Sequence, residues 1–215
     1  MEQYNEYIEK FNQFKEWVDS SNLSSWKKNR KNLFDIFSSL TEKDGHEMKL
    51  HLASGERGIG DVSYFFFEDS KGEVDREIEK YLSVSPTPMG AWELFLLKSA
   101  TYIMPYFWHG GYERRYFVFS EEDLRKAGSR FGSDNTHLEI CDLSAIVDAY
   151  NLRPKVVEDV TVPPGDLKAD IYCCLWNDWQ GLVQEHCRIS VTNGNIELKR
   201  LPSFVIYSYR CMVMF

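Results

Sequence analysis

Ile189-Ser190-Val191-Thr192-Asn193-Gly194-Asn195-Ile196-Glu197-Leu198 is the stretch on which the fold turns. Asn-Gly suits a two-residue hairpin turn, because both central residues need positive φ, which Gly takes freely and Asn tolerates. That turn sets Val191 opposite Ile196 and Ile189 opposite Leu198, so one face of the hairpin stays apolar. Upstream, Ala169–Trp176 and Trp179–Val191 read as strands on either side of a tight turn at Asn177-Asp178. Trp176 and Trp179 would then be a cross-strand aromatic pair. Downstream, Pro202 interrupts the chain and Phe204–Met214 is long enough for another strand. The C-terminal third is therefore expected to be a four-stranded antiparallel meander.

Helical periodicity dominates the earlier part. Tyr4, Ile8, Phe11, Phe14 and Val18 predict an amphipathic helix from about Glu2 to Asp19. Leu23, Trp26, Leu33, Phe34, Phe37 and Leu40 predict a second, on whose apolar side Arg30 must snorkel or meet a carboxylate. The period then becomes alternating, with strands expected at Met48–Leu52 and Val62–Phe67 around a Gly-rich link, Ser54 to Asp61. Val74, Ile78 and Leu82 suggest a short helix. Thr87-Pro88 opens the most apolar helix, through about Met104 and ended by Pro105, with the threonine as cap and proline at the first helical position. A helix apolar on every side belongs in a core. Arg114–Phe119 reads as a strand, Ser120 as the cap of a helix ending at Gly128, and Leu143–Tyr150 as a further helix. Helices first and strands last make an α+β protein, with N-terminal and central helices packed on a mainly antiparallel sheet. The 215 residues suit a single domain, 1–215.

Composition narrows the function classes. The net charge of −8 repels phosphate backbones and anionic membranes, so neither nucleic acid nor membrane is an expected partner. The start of the chain lacks the basic and apolar parts of a signal peptide, and the five cysteines are an odd count suited to reduced thiols. A cytoplasmic protein is expected.

Chemistry-bearing motifs are scarce. No two histidines stand three or four apart, and Cys173-Cys174 would point to opposite faces of a strand, so no metal site and no cofactor are expected. There is no Gly-x-Ser-x-Gly elbow, and Gly55-Glu56-Arg57-Gly58-Ile59-Gly60 lacks the lysine and following helix of a phosphate loop. No catalytic residue is assigned.

One segment departs from ordinary loop composition: Pro105 to Tyr116, with Trp108, His109, Tyr112, Glu113, Arg114 and Arg115 as candidate binding residues. Aromatic and arginine side chains dominate binding hot spots. Two readings compete for them, rings folded back on the core or rings facing water. The favoured expectation is a non-enzymatic interaction module that resembles, in class alone, toxin-neutralising (immunity-like) or partner-capping proteins. Its expected partner is another protein, with a basic one favoured by charge. The alternative is a small-ligand-binding protein or enzyme with a pocket around His109, Glu113 and Arg114.

Overall fold

In the computed structural model, residues 3–20, 23–54, 61–104, 106–107, 115–128, 143–177 and 180–208 are described. The first apolar stripe folds as α1 (Gln3–Ser20), burying Tyr7, Phe14, Trp17 and Val18. A 3-10 turn (Leu23–Ser25) leads into α2 (Trp26–Ile36), which buries Leu33. Arg30 finds its carboxylates in Glu47 at 2.8 Å and Glu42 at 3.7 Å. Leu40 leaves the helix: Leu40–Glu42 is strand β1.

Short strands follow: β2 (Lys49–His51), β3 (Asp61–Val62), β4 (Tyr64–Glu68), β5 (Val74–Asp75) and β6 (Leu82–Val84). They form small antiparallel sheets, β1 with β6 and β2-β4-β5. The helix expected over Val74–Leu82 is absent. Val74 and Leu82 sit in β5 and β6, and only a 3-10 turn (Ile78–Tyr81) lies between them. Asp75 explains the break: its carboxylate accepts from Glu77 N (2.8 Å) and Tyr81 Oη (3.0 Å), a local turn that competes with helix.

The core helix is α3 (Pro88–Lys98), continued by a 3-10 turn at Ala100–Tyr102. Thr87 caps it, accepting from Gly90 N at 3.1 Å, with Pro88 in the first turn as expected. Every residue from Gly90 to Leu97 is buried. Beyond it lie β7 (Tyr106–Phe107), paired with β3, then β8 (Arg115–Phe117), α4 (Glu121–Gly128) and α5 (Leu143–Ala149). At α4, Ser120 Oγ accepts from Asp123 N (3.1 Å) while Asp123 accepts from Phe119 N (3.1 Å), a reciprocal cap.

The C-terminal meander is β9 (Lys155–Glu158), β10 (Leu167–Asn177), β11 (Gly181–Thr192) and β12 (Asn195–Ser208), each antiparallel to the next. Its four strands are not divided as the sequence suggests. Pro202 does not end a strand: β12 runs through it, and β9 is the additional member. A proline is tolerated there because β12 is an edge strand, and the register shift between Gln184 and His186 absorbs an extra β12 residue. Asn193 (φ 50°) and Gly194 (φ 75°) make the turn, and Val191↔Ile196 and Ile189↔Leu198 pair as the sequence requires. The β10–β11 turn differs: Asn177 pairs with Gly181 (φ 90°), and Gln180 N donates to Asn177 O at 3.1 Å. Trp176 thus pairs with Leu182 and stacks on Tyr207 (ring centroids 6.4 Å), while Trp179 lies outside the described residues. β8 and β9 share the other edge of β10, end to end.

The sheet separates two apolar clusters. On its inner face Leu167, Ala169, Ile171, Cys173, Leu175, Cys187, Ile189 and Val191 join α1 and α3 in the main core. Aromatic rings bridge the layers: Trp92 meets Tyr7 at 5.6 Å, and Phe11 meets Phe117 at 4.8 Å. On the outer face a smaller cluster places α4 and α5 over Cys174, Trp176 and Leu182. Cys173, Cys174 and Cys187 are free, buried thiols in these strands.

Glu93 is a fully buried carboxylate on α3, accepting from Ser39 N at 2.7 Å with Lys10 Nζ 3.2 Å away. Lys10 also donates to Ile36 O, so this one group ties α1, α3 and the end of α2 together.

Thr87→Ala removes the cap at a cost of about 1 kcal/mol. Gly90→Ala drives a Cβ into the Ser85 carbonyl oxygen and should cost roughly 2 kcal/mol, both measured by urea unfolding. Burial raises the Glu93 carboxyl above its ordinary 4.5, and the Ser39 N–H and Lys10 only partly offset this. The folded chain therefore keeps the Glu93 proton where the unfolded chain has lost it, so this contribution is full below pH 4.5 and declines as pH rises toward the folded value. Unfolding titrations across that window should show the decline in wild type and its absence in Glu93→Gln.

Candidate functional site

The alternation that buries one face of β10 and β11 delivers the opposite face to α4 and α5 at one end only. The other end stays partly open. Cross-strand pairing fixes its rows, because directly opposed residues share a face. One row reads Lys155, Tyr172, His186, Leu201; the next reads Val157, Asp170, Arg188, Lys199; the last pairs Lys168, Ser190 and Glu197.

The centre of this surface is held by one carboxylate. Arg188 donates through Nε to Asp170 Oδ1 (2.9 Å) and through Nη2 to Oδ2 (3.0 Å), a two-point grip that fixes the guanidinium plane. His186 Nε2 lies 2.9 Å from Oδ1. Burial pushes the Asp170 carboxyl up, but hydrogen bonds from Arg188 and His186 outweigh it and hold the group below its usual value. Ionised, it only accepts, so His186 carries its proton on Nε2. The imidazole stacks on Tyr172 with centroids 4.4 Å apart and planes 18° apart. Together they form a flat, pre-ordered platform. At its margin Phe204 is 55% exposed and packs against Tyr150 at 6.3 Å.

A second polar cluster lies on the inner face, where the expected binding residue Arg115 falls. Arg115 pairs with Glu185, and its Nη1 donates to Tyr102 Oη at 3.0 Å. Arg200 Nη1 donates to the same phenol at 2.8 Å and lies 3.3 Å from Glu185 Oε2. Beside it opens a cavity of about 340 Å³, lined by Phe11, Lys15, Tyr102, Arg115 and Phe117 among others. Its arginines are already spent on Glu185 and Tyr102, which makes this cluster a brace between the 3-10 turn after α3 and three strands of the sheet. Trp108, His109, Tyr112, Glu113 and Arg114 lie outside the described residues, and with them the expected pocket around His109, Glu113 and Arg114; of the expected binding residues Arg115 alone is described.

Other chemistry is muted among the described residues. Burial raises the Cys174 and Cys187 thiols to about 11 and Cys173 well above its ordinary value, so all three are protonated at neutral pH and poor nucleophiles. His51 Nε2 contacts Asp61 at 2.8 Å, and Asp61 also accepts from Ser54 N at 2.9 Å, which latches β2 to β3. Among the described residues, no group of three His, Cys, Asp or Glu side chains is placed to hold a metal ion. No described helix is long and apolar enough to cross a membrane.

Asp170, Tyr172, His186 and Arg188 are not candidates in the sequence. Their signal is the polar half of the strand alternation, which becomes a site only once β10 and β11 are in register. A turn at Asn177-Asp178 would set Trp176 opposite Trp179, and the true register is three residues away from that. An odd shift breaks up every same-face pair, Tyr172–His186 included.

Compared with known proteins, the chain matches no family model, no curated protein and no solved structure.

Asp170→Asn should weaken the grip on both Arg188 and His186 and lower stability by about 1–2 kcal/mol near neutral pH. Because the folded Asp170 pKa is depressed, its contribution is present above the ordinary 3.8 and lost as pH falls toward the folded value. Paired unfolding titrations of wild type and Asp170→Asn should therefore converge in acid.

Proposed function

We propose that this chain is a protein-interaction module whose contact surface is the open half of the outer sheet face. The observation that carries the reading is the Tyr172–His186 stack beside an Arg188 guanidinium fixed by Asp170, all partly exposed on a rigid sheet. Aromatic rings and arginines of this kind supply most of the energy at protein interfaces, and pre-ordered ones lose little entropy when they bind. Leu201, Val157 and Phe204 give the platform an apolar margin.

The surface is limited in size. Four strands spaced ~4.8 Å apart and three rows spaced ~6.7 Å apart make a patch roughly 15 Å on a side. That suits a segment of a partner better than a full domain face, which takes about 800 Å² from each side. A capping role, in which the module occludes one segment of a partner and so silences it, fits this scale. Toxin neutralisation is one form of that role.

The test is site-specific photo-crosslinking in the native host. A benzophenone side chain at Tyr172 should trap one partner protein, and the same group at Glu16, on the exposed side of α1, should not. Arg188→Ala should abolish the Tyr172 adduct in a chain that still unfolds cooperatively. Equal capture at both positions, or none at Tyr172, would overturn the reading.

A further inference from the structure

We infer that the partner segment received by this face is acidic, an Asp- or Glu-rich stretch of another protein lying across β9 to β12; the inference rests on the interaction reading above. Whole-chain charge points the other way, toward a basic partner, so the local arrangement has to be weighed against it.

Four cations share the open face: Lys155, Lys168, Arg188 and Lys199. Against them stand three carboxylates, Asp170 and Glu197 in the rows and Asp159 beside Lys168. Asp170 is already occupied on both oxygens by Arg188, with His186 on Oδ1. Lys168 is held by Asp159 at 2.9 Å, in the loop beyond β9. Lys155 and Lys199 are exposed and have no ion-pair partner among the described residues. They lie at the two edges of the face, on β9 and β12, with the Tyr172–His186 stack and Arg188 between them. A segment crossing the strands would meet a lysine at each end and a guanidinium in the middle.

The net charge of −8 does not cancel this pattern. The acids of α1, Glu6, Glu9, Glu16 and Asp19, belong to a helix packed on the inner face, with the sheet between them and the patch. At physiological ionic strength the screening length is about 8 Å, so the field at the open face is set by the groups on it. Nucleic acid is the less suited anion. A nucleic-acid strand longer than the patch runs off it onto the acidic remainder of the surface, and Asp170 and Glu197 interrupt the cationic rows.

The probe is a deca-glutamate peptide, with deca-lysine and a ten-nucleotide oligothymidylate as comparisons, read by amide chemical shifts of the full chain and by anisotropy. Deca-glutamate should shift amides of β9 to β12 around Lys155, Tyr172, Arg188 and Lys199. Its affinity should fall with added salt and drop about tenfold in Lys155→Glu/Lys199→Glu. Spectral dispersion confirms that the variant is folded, and Lys155→Arg/Lys199→Arg should bind like wild type. Three results would overturn the inference: no shifts on this face with deca-glutamate, deca-lysine bound at these amides, or the oligonucleotide bound there more tightly. Should the Tyr172 crosslink trap a partner through a segment that is not acidic, the interaction reading stands and the acidic one falls. Should it trap nothing, both fall.

Discussion

Burial of α3 on every side is the constraint from which the rest of this structure follows. A helix whose residues from Gly90 to Leu97 are all buried needs cover from several directions. α1 and the inner face of the meander supply two of them, and β1 and β6 close around its start, where Gly90 leaves room for the Ser85 carbonyl. The aromatic rings of Tyr7, Phe11, Trp92 and Phe117 make those contacts with large, stiff surfaces, each worth roughly 1.5–3 kcal/mol when fully buried. Glu93 is the polar exception. Ser39 N–H meets one of its oxygens and the Lys10 ammonium lies 3.2 Å from the other, so Glu93 links α1 and the end of α2 to the core helix.

Committing the inner face of the sheet to α3 leaves the outer face to be shared. α4 and α5 cover the end near Trp176 and Leu182, where the strands are apolar on both sides. The other end carries Asp170, Tyr172, His186 and Arg188, and these groups satisfy one another rather than being sealed beneath a helix. Half-buried polar groups held in a fixed geometry form a surface whose ordering cost has been met during folding. The same logic separates the two arginine clusters. Arg115 and Arg200 converge on Glu185 and Tyr102 on the inner face, where they tie the 3-10 turn after α3 to the sheet, whereas Arg188 lies on the outer face and is held by Asp170.

Much of this was legible one element at a time. The stripe from Tyr4 to Val18, the Thr87-Pro88 start of the core helix, the Ser120 cap and the Asn193-Gly194 turn each rest on neighbours within a few residues. The expected helix over Val74 to Leu82 shows where that method stops. Apolar spacing there fits a helix, but the Asp75 side chain offers the backbone a competing turn, and pairing with β4 and β1 completes two strands. Pro202 misleads in the opposite sense: it looks like a terminator, yet an edge strand with a bulge can carry it.

What the sequence by itself determined is the α+β class, the antiparallel C-terminal meander, and the pairing of β11 with β12, because an Asn-Gly turn admits only one register. Tertiary structure alone decided which residues form a site. Tyr172 and His186 stand fourteen positions apart, and whether they stack or point to opposite faces depends on the register of β10 on β11, in which Asn177 pairs with Gly181. Whether their face is open depends in turn on where α4 and α5 come to rest. Local periodicity records which side of a strand is polar. Only the packed molecule decides which polar side is left facing water.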